Sequence, residues 1–408
     1  MKTKLWLVVA IALLVAGVLG YSASANSSSP TVAETSASVA ADVDYKALAK
    51  QLVTQSARVK EGDLVLIASS TRDMALAEEL AVAARQLGAH PIIWYNSQQL
   101  DYRLIVDVPE KYDTQFLEFD FRLSMLADVL FRIDYGESND LFADVPPERF
   151  LGQNTYDVIE KADDNRRLPR VFLGNGLYPT AATAEDYGIS QEELANVFWG
   201  GVNVDYAKLQ ATGAAVKEIL AAGKEAHITH PNGTDLTVSI EARPVFVSDG
   251  VISDEDRAAG GAGTKAWLPA GEVYLTPIPG TAEGTIVGTH NSFDGPIEGL
   301  TLTFEAGNLT SMTAKSGLER MKEVYDAAGE GKEQFGFLDI GINPNVVLPD
   351  KALKGTYMGT GAVTIGFGQN DFYGGENSSD FNYDMFLPPG ATVEVDGKVL
   401  VENGVLQP

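Results

Sequence analysis

Leu64-Val65-Leu66-Ile67-Ala68, Met74 to Leu87 and Pro91-Ile92-Ile93-Trp94-Tyr95 follow one another with short breaks, and their order decides the fold of the first half of this chain. The opening pentapeptide is a continuous apolar run, the pattern of a strand buried on both faces of a parallel sheet. Met74 to Leu87 reads as a helix, and Gly88 stands where helices end in the left-handed conformation. A second apolar run beyond that helix completes strand, helix, strand, the repeating unit of a parallel sheet. Upstream, Tyr45, Leu48, Ala49, Leu52 and Val53 also fall at helical spacing.

The alternation continues downstream. Ala127 to Ile133 and Arg170 to Leu173 predict strands, while Pro146 to Lys161 and Tyr206 to Leu220 predict helices, the last closed by Gly223. Ser190-Gln191-Glu192-Glu193 is a capping box that opens a short helix. The strand-to-helix turns carry no glycine-rich phosphate fingerprint, so a nucleotide site has little support. Near residue 225 the pattern changes. Ala226 to His230 and Thr234 to Ile240 flank Pro231-Asn232-Gly233, a hairpin signal. Leu300 to Phe304 and Leu309 to Ala314 form a second pair, Ser316 to Ala328 a helix, and Val393-Glu394-Val395 with Val399-Leu400-Val401 a third pair about Asp396-Gly397. The expected fold class is α/β: an N-terminal open α/β sheet domain over 44–225, followed by a β-rich α+β C-terminal domain over 226–408.

The N-terminus decides the expected compartment. Lys2 and Lys4 precede an uncharged stretch from Leu5 to Gly20, and Ala23-Ser24-Ala25 offers small residues for cleavage, so residues 1–25 read as a signal peptide. The competing reading, an uncleaved anchor, has a stretch that is short for a spanning helix. Residues 26–43, rich in Ser, Ala, Thr and Val, read as a disordered linker. The chain has no cysteine, which excludes disulfides, thiol nucleophiles and Cys-containing zinc sites. Thirty basic against 56 acidic side chains leave a formal charge of −26, a field that repels nucleic acid and anionic membrane surfaces. The expected location is therefore extracytoplasmic, with no membrane association after signal cleavage.

Glycine, proline and carboxylates crowd into four stretches of the second half: Leu268 to Pro277, Asp339 to Asn345, Gly359 to Gly375, and Ser378 to Asp384. Such density reads as loops that position functional groups. Their order and content resemble the thermophilic metallo-aminopeptidase family of the aminopeptidase T type. Lys60-Glu61-Gly62-Asp63, Gly88-Ala89-His90 and His230-Pro231-Asn232-Gly233-Thr234-Asp235-Leu236 carry the resemblance along with the Leu268 to Pro277 segment.

The resemblance implies two divalent metal ions, zinc or cobalt, held in the C-terminal domain by two glutamates, two histidines and an aspartate, with a tyrosine assisting. It implies removal of N-terminal residues from peptides by metal-activated water, and a homodimer with its cavities enclosed between subunits. Carried over position by position, Glu272 falls at the first glutamate and Asp384 at the aspartate. The second glutamate falls at Phe337, and the histidines at Thr364 and Asn382. Tyr373 stands near the assisting tyrosine. The chain holds four histidines, His90, His227, His230 and His290, and none follows the last.

Asp339 lies two residues beyond the lost glutamate, so Glu272, Asp339 and Asp384 could together form an all-oxygen site, suited to calcium or magnesium rather than zinc. Each of the three also suits a purely structural role, and a chain with no metal at all stays open. Two functions remain: an aminopeptidase-like hydrolase with an altered metal site, or a non-catalytic protein that binds a peptide or small-molecule ligand in the same cleft.

Overall fold

The computed structural model describes residues 43–138, 141–146, 149, 154–288 and 297–407. The signal peptide, all of the linker but its final Val43, and His290 lie outside the described residues. Two compact units are present, and the chain passes between them several times.

The first unit is built on a five-stranded parallel sheet in the order His90–Tyr95, Leu64–Ser69, Val129–Ile133, Arg170–Leu173, Lys265–Leu268. The first strand and helix fall where the sequence places them, with the helix at Met74–Gln86 burying Leu76, Ala77, Leu80, Ala83 and Ala84. Ser190 accepts from the Glu193 backbone N–H while the Glu193 side chain accepts from Ser190, the capping box read from the sequence. Tyr45–Gln51 is α-helical and continues as a π-helical turn, Leu52–Ser56. The helix expected over 146–161 is Asn154–Arg166. Helices Gln98–Val106 and Glu118–Leu126 were not anticipated; each buries one polar residue, Gln98 or Ser124, and leaves apolar ones such as Leu104 and Phe119 exposed. An apolar stripe that faces no core gives weak periodicity.

A single boundary at 225 does not describe these units. The strand Lys265–Leu268 belongs to the first unit, where it closes the parallel sheet beside Arg170–Leu173. The helix Tyr206–Ala222 belongs to the second. Strand pairing overrides position in the chain here: a four-residue strand completes a sheet edge nearly a hundred residues away in sequence.

The second unit holds two antiparallel sheets. The larger has eight strands in the order Asn308–Thr313, Leu300–Glu305, Glu283–Gly288, Thr234–Ser239, Glu225–His230, Thr392–Val395, Lys398–Glu402, Val405–Leu406. All three hairpins read from the sequence are in it. The smaller has five strands in the order Asn382–Phe386, Val363–Gly368, Phe335–Gly341, Glu272–Leu275, Val245–Ser248. The expected helix over 316–328 is Glu319–Ala327.

The five-stranded sheet corrects the sequence reading of glycine-rich loops. Asp339 and the Gly366-Phe367-Gly368 segment lie within strands whose every residue is buried. Val273, Leu275, Leu338, Ile340, Ile365, Phe367 and Met385 form an apolar face. Phe304 of the larger sheet meets Phe335 and Phe367, with ring centroids 5.2 and 6.1 Å away, so the aromatic core sits on this side. The other face is the acidic one.

Candidate functional site on the five-stranded sheet

Opposed residues of antiparallel strands point to one face, as do residues two apart on a strand. The register therefore fixes which side chains meet. Gly341 pairs with Glu272, and Asp339 pairs with Tyr274 on one side and Thr364 on the other. Phe337 pairs with Gly366, Gly366 with Asp384, and Gly368 with Asn382. Glu272, Phe337, Asp339, Thr364, Asn382 and Asp384 thus share a face, although they lie on four strands. All the positions carried over from the resemblance are brought together on this face.

Tyr373 reaches the face from above. It sits in a 3-10 turn, Asp371–Tyr373, ended by Gly374 in the left-handed conformation at φ 84°. The turn is tied down by Asn370, whose Nδ2 donates to the Gly336 carbonyl at 3.1 Å and whose Oδ1 accepts from the Asn377 N–H at 2.9 Å. Held there, Tyr373 stacks on Phe337 with centroids 4.1 Å apart and meets Tyr274 edge-on at 5.8 Å. Phe246 stacks on Tyr274 at 5.5 Å, which completes an aromatic wall. A Cβ at Gly366 would run into the Phe337 ring, so glycine is what lets that ring lie across the neighbouring strand.

Burial resists ionisation of the two aspartates on this face. Asp339 is 2% exposed, and burial, together with the nearby Glu272 and Asp384 charges, holds its carboxyl well above the usual range. Burial pushes the Asp384 carboxyl up to about 6, while a hydrogen bond from Tyr357 and the nearby Tyr373 hydroxyl work against the shift. Tyr357 donates to Asp384 Oδ2 at 2.6 Å. Sequence reasoning missed this tyrosine, which precedes the glycine-rich stretch by two residues and lies outside any of the quoted motifs. Three buried oxygens on the face, Asp339 Oδ1, Thr364 Oγ1 and Asp384 Oδ1, have no hydrogen-bond partner.

The described histidines lie elsewhere. His90 opens an edge strand of the first unit. His227 and His230 are on the eight-stranded sheet, where His227 Nε2 faces Asp235 at 2.8 Å and His230 Nδ1 accepts from the Asn232 N–H at 3.0 Å. Among the described residues, no three His, Cys, Asp or Glu side chains converge closely enough to hold a metal ion. Glu272 and Asp384 are near enough to raise the proton affinity of Asp339.

A family model described as thermophilic metalloprotease (M29) matches residues 42–338. This is most of the chain, and the protein belongs to that family. Membership makes it aminopeptidase-like, within a family of metal-dependent hydrolases. The match takes in Glu272 and Phe337 and ends one residue before Asp339. Among curated protein sequences none matches the chain. Among solved structures, wild-type AmpT from Thermus thermophilus superposes with a TM-score of 0.65 at 18% identity, covering 89% of this chain and 98% of that one. The 2,5-dihydroxypyridine dioxygenase of Pseudomonas putida KT2440 superposes with a TM-score of 0.58 at 15% identity, covering 89% and 96%. At these identities the likeness shows the fold alone. A fold shared with a protein named as a dioxygenase does not choose the reaction.

Proposed function

We propose that this chain is an exported member of its family that has given up two-metal peptide hydrolysis and binds a peptide or small-molecule ligand on the acidic face. The observation that carries the reading is the Phe337–Tyr373 stack, 4.1 Å between centroids. A glutamate at that strand position would turn two oxygens toward the face. Phenylalanine supplies none, and its ring packs against Tyr373, the phenol near the position of the family's assisting tyrosine.

The remaining donors support the same reading. Zinc and cobalt sites draw on imidazole nitrogen or thiolate. Thr364 and Asn382 stand where the resemblance puts histidines, and the chain has no cysteine. The residues present do not fit a pair of such ions. Calcium or magnesium at Glu272, Asp339 and Asp384 would have the right oxygen donors, but those three groups do not converge on a point. Export rests on the signal-peptide pattern of residues 1–25, and homodimerisation on family resemblance; both belong to this proposal.

Elemental analysis of the purified mature protein, paired with cleavage of aminoacyl reporter substrates with and without added divalent ions, tests it. No tightly held ion and no cleavage is the expected result. Two ions per chain with chelator-sensitive cleavage would show a working aminopeptidase and overturn the reading.

A further inference from the structure

We infer that the acidic face takes an organic cation bearing N–H donors, an alkylammonium or guanidinium group, against Asp339, Thr364 and Asp384. The inference rests on the ligand-binding reading above and names the chemistry of the ligand.

The first argument is the set of unsatisfied acceptors. Asp339 and Thr364 are 2% and 1% exposed, yet Asp339 Oδ1 and Thr364 Oγ1 have no hydrogen-bond partner, and Asp384 Oδ1 is likewise buried without one. A buried polar atom left unpaired costs about 1–3 kcal/mol. The two carboxylate oxygens can only accept when ionised, and the threonine hydroxyl can accept as well as donate. A ligand rich in N–H donors relieves all three.

Their placement makes them one surface. Asp339 and Thr364 are directly opposed across adjacent strands, and Asp384 stands opposite Gly366, two residues along from Thr364. All three therefore project from the same side of the sheet. Spacing then separates the cation classes. A hard metal ion draws its ligands to about 2.0–2.6 Å, which demands tight convergence. Charged N–H donors reach acceptors at about 2.7–2.9 Å from each nitrogen, and a guanidinium spreads five of them over a plane. Carboxylates that sense one another without closing around a point suit the second arrangement.

The walls agree. Tyr274, Phe337 and Tyr373 present aromatic rings beside the carboxylates, with Phe246 behind Tyr274. Aromatic faces attract organic cations and pack against their alkyl parts. The net charge of −26 favours encounter with any cation.

The test is calorimetric titration of the full mature chain with four butyl probes: butylammonium, butylguanidinium, butyltrimethylammonium and neutral N-butylacetamide. Either or both N–H cations should bind saturably, at least about tenfold more tightly than the other two, the loss expected for charge-assisted hydrogen bonds. Which of the two prevails identifies the headgroup. Thr364→Val and Asp384→Asn should each weaken that binding, and Thr364→Ser should restore it. Equal binding of the trimethylammonium probe would mean the face reads charge alone and overturns the inference. So would no binding of any probe, or saturable binding of calcium or magnesium chloride that displaces the organic cations. If the variants do not fold, the probe series on the unaltered chain still decides. A metal-free, non-cleaving protein indifferent to the probes sinks this inference alone; two bound ions with cleavage sink the ligand-binding reading beneath it.

Discussion

Phe337 lies nearly flat against Tyr373, the ring planes 27° from parallel and the centroids 4.1 Å apart. One of these residues belongs to the central strand of the five-stranded sheet and the other to a turn pinned by Asn370, so the stack locks that turn over the acidic face. Its geometry depends on what lies beneath it, and several consequences can be measured.

The Phe337 ring occupies the space above Gly366. Gly366→Ala places a methyl group into that ring, and overpacking of this kind costs about 1–3 kcal/mol. Chemical denaturation should show this loss. In a Phe337→Leu background the same change should cost measurably less, because the atoms it meets have been removed. Equal losses in both backgrounds would assign the cost to the strand backbone instead.

Asp384 gives stability a pH dependence of known sign. Its folded-state value of about 6 lies above the ordinary carboxyl value of 3.8, so the folded protein keeps this proton longer than the unfolded chain. The carboxyl therefore favours folding below the unfolded value, and that contribution is lost as pH rises through about 6. Asp339 shifts in the same direction. Asp384→Asn, which cannot ionise, should gain stability relative to the parent as pH rises from about 4 to about 7. Thermal melts across that range check it, and a gap that stays constant would place the ionisation elsewhere.

Tyr357 stabilises the ionised form of Asp384 through its 2.6 Å hydrogen bond. Tyr357→Phe should therefore raise the Asp384 titration midpoint further, read by carboxyl carbon NMR. Bonds to charged groups contribute about 1.5–3 kcal/mol, so the variant should also be less stable near neutral pH than at acid pH. An unmoved midpoint would mean the phenol merely packs.

In the first unit, Arg72 Nε donates to Asp73 Oδ2 at 2.9 Å, and Tyr178 donates to Asp73 Oδ1 at 2.6 Å. The Arg72 guanidinium also donates to the Asp134 and Gly136 carbonyls, joining the loops that follow two neighbouring strands. Both ion-pair side chains are under a tenth exposed, at 6% and 3%. Asp73→Ala strands a buried cation and should cost about 3–5 kcal/mol. Tyr178→Phe should cost only about 1 kcal/mol, and the double variant less than the sum. Strict additivity would show that the three groups do not act as a network.

Much of the fold was legible because helix and strand periodicity is a local property. The first unit's opening strand and helix, the Ser190 cap and the three hairpins are each set by residues within about a dozen positions of one another. The candidate residues Glu272, Asp339 and Asp384 could be named from the sequence, as could the replaced positions Phe337, Thr364 and Asn382.

Other features depend on partners that are remote along the chain. Glycine-rich segments look like loops until a ring or a backbone is found crossing them. Within their strands, position 366 needs glycine because the Phe337 ring covers it, and position 341 because the Tyr357 and Gly359 carbonyls press close. Lys265–Leu268 joins the parallel sheet only by pairing with Arg170–Leu173. Tyr357 and Asp384 are 27 residues apart and meet only across the folded sheet. The sequence alone determined that this chain is an acidic α/β protein lacking cysteine and any histidine late in the chain. Antiparallel register, which points opposed side chains to one face, decided that three carboxylates and an aromatic wall stand together on one side of the sheet.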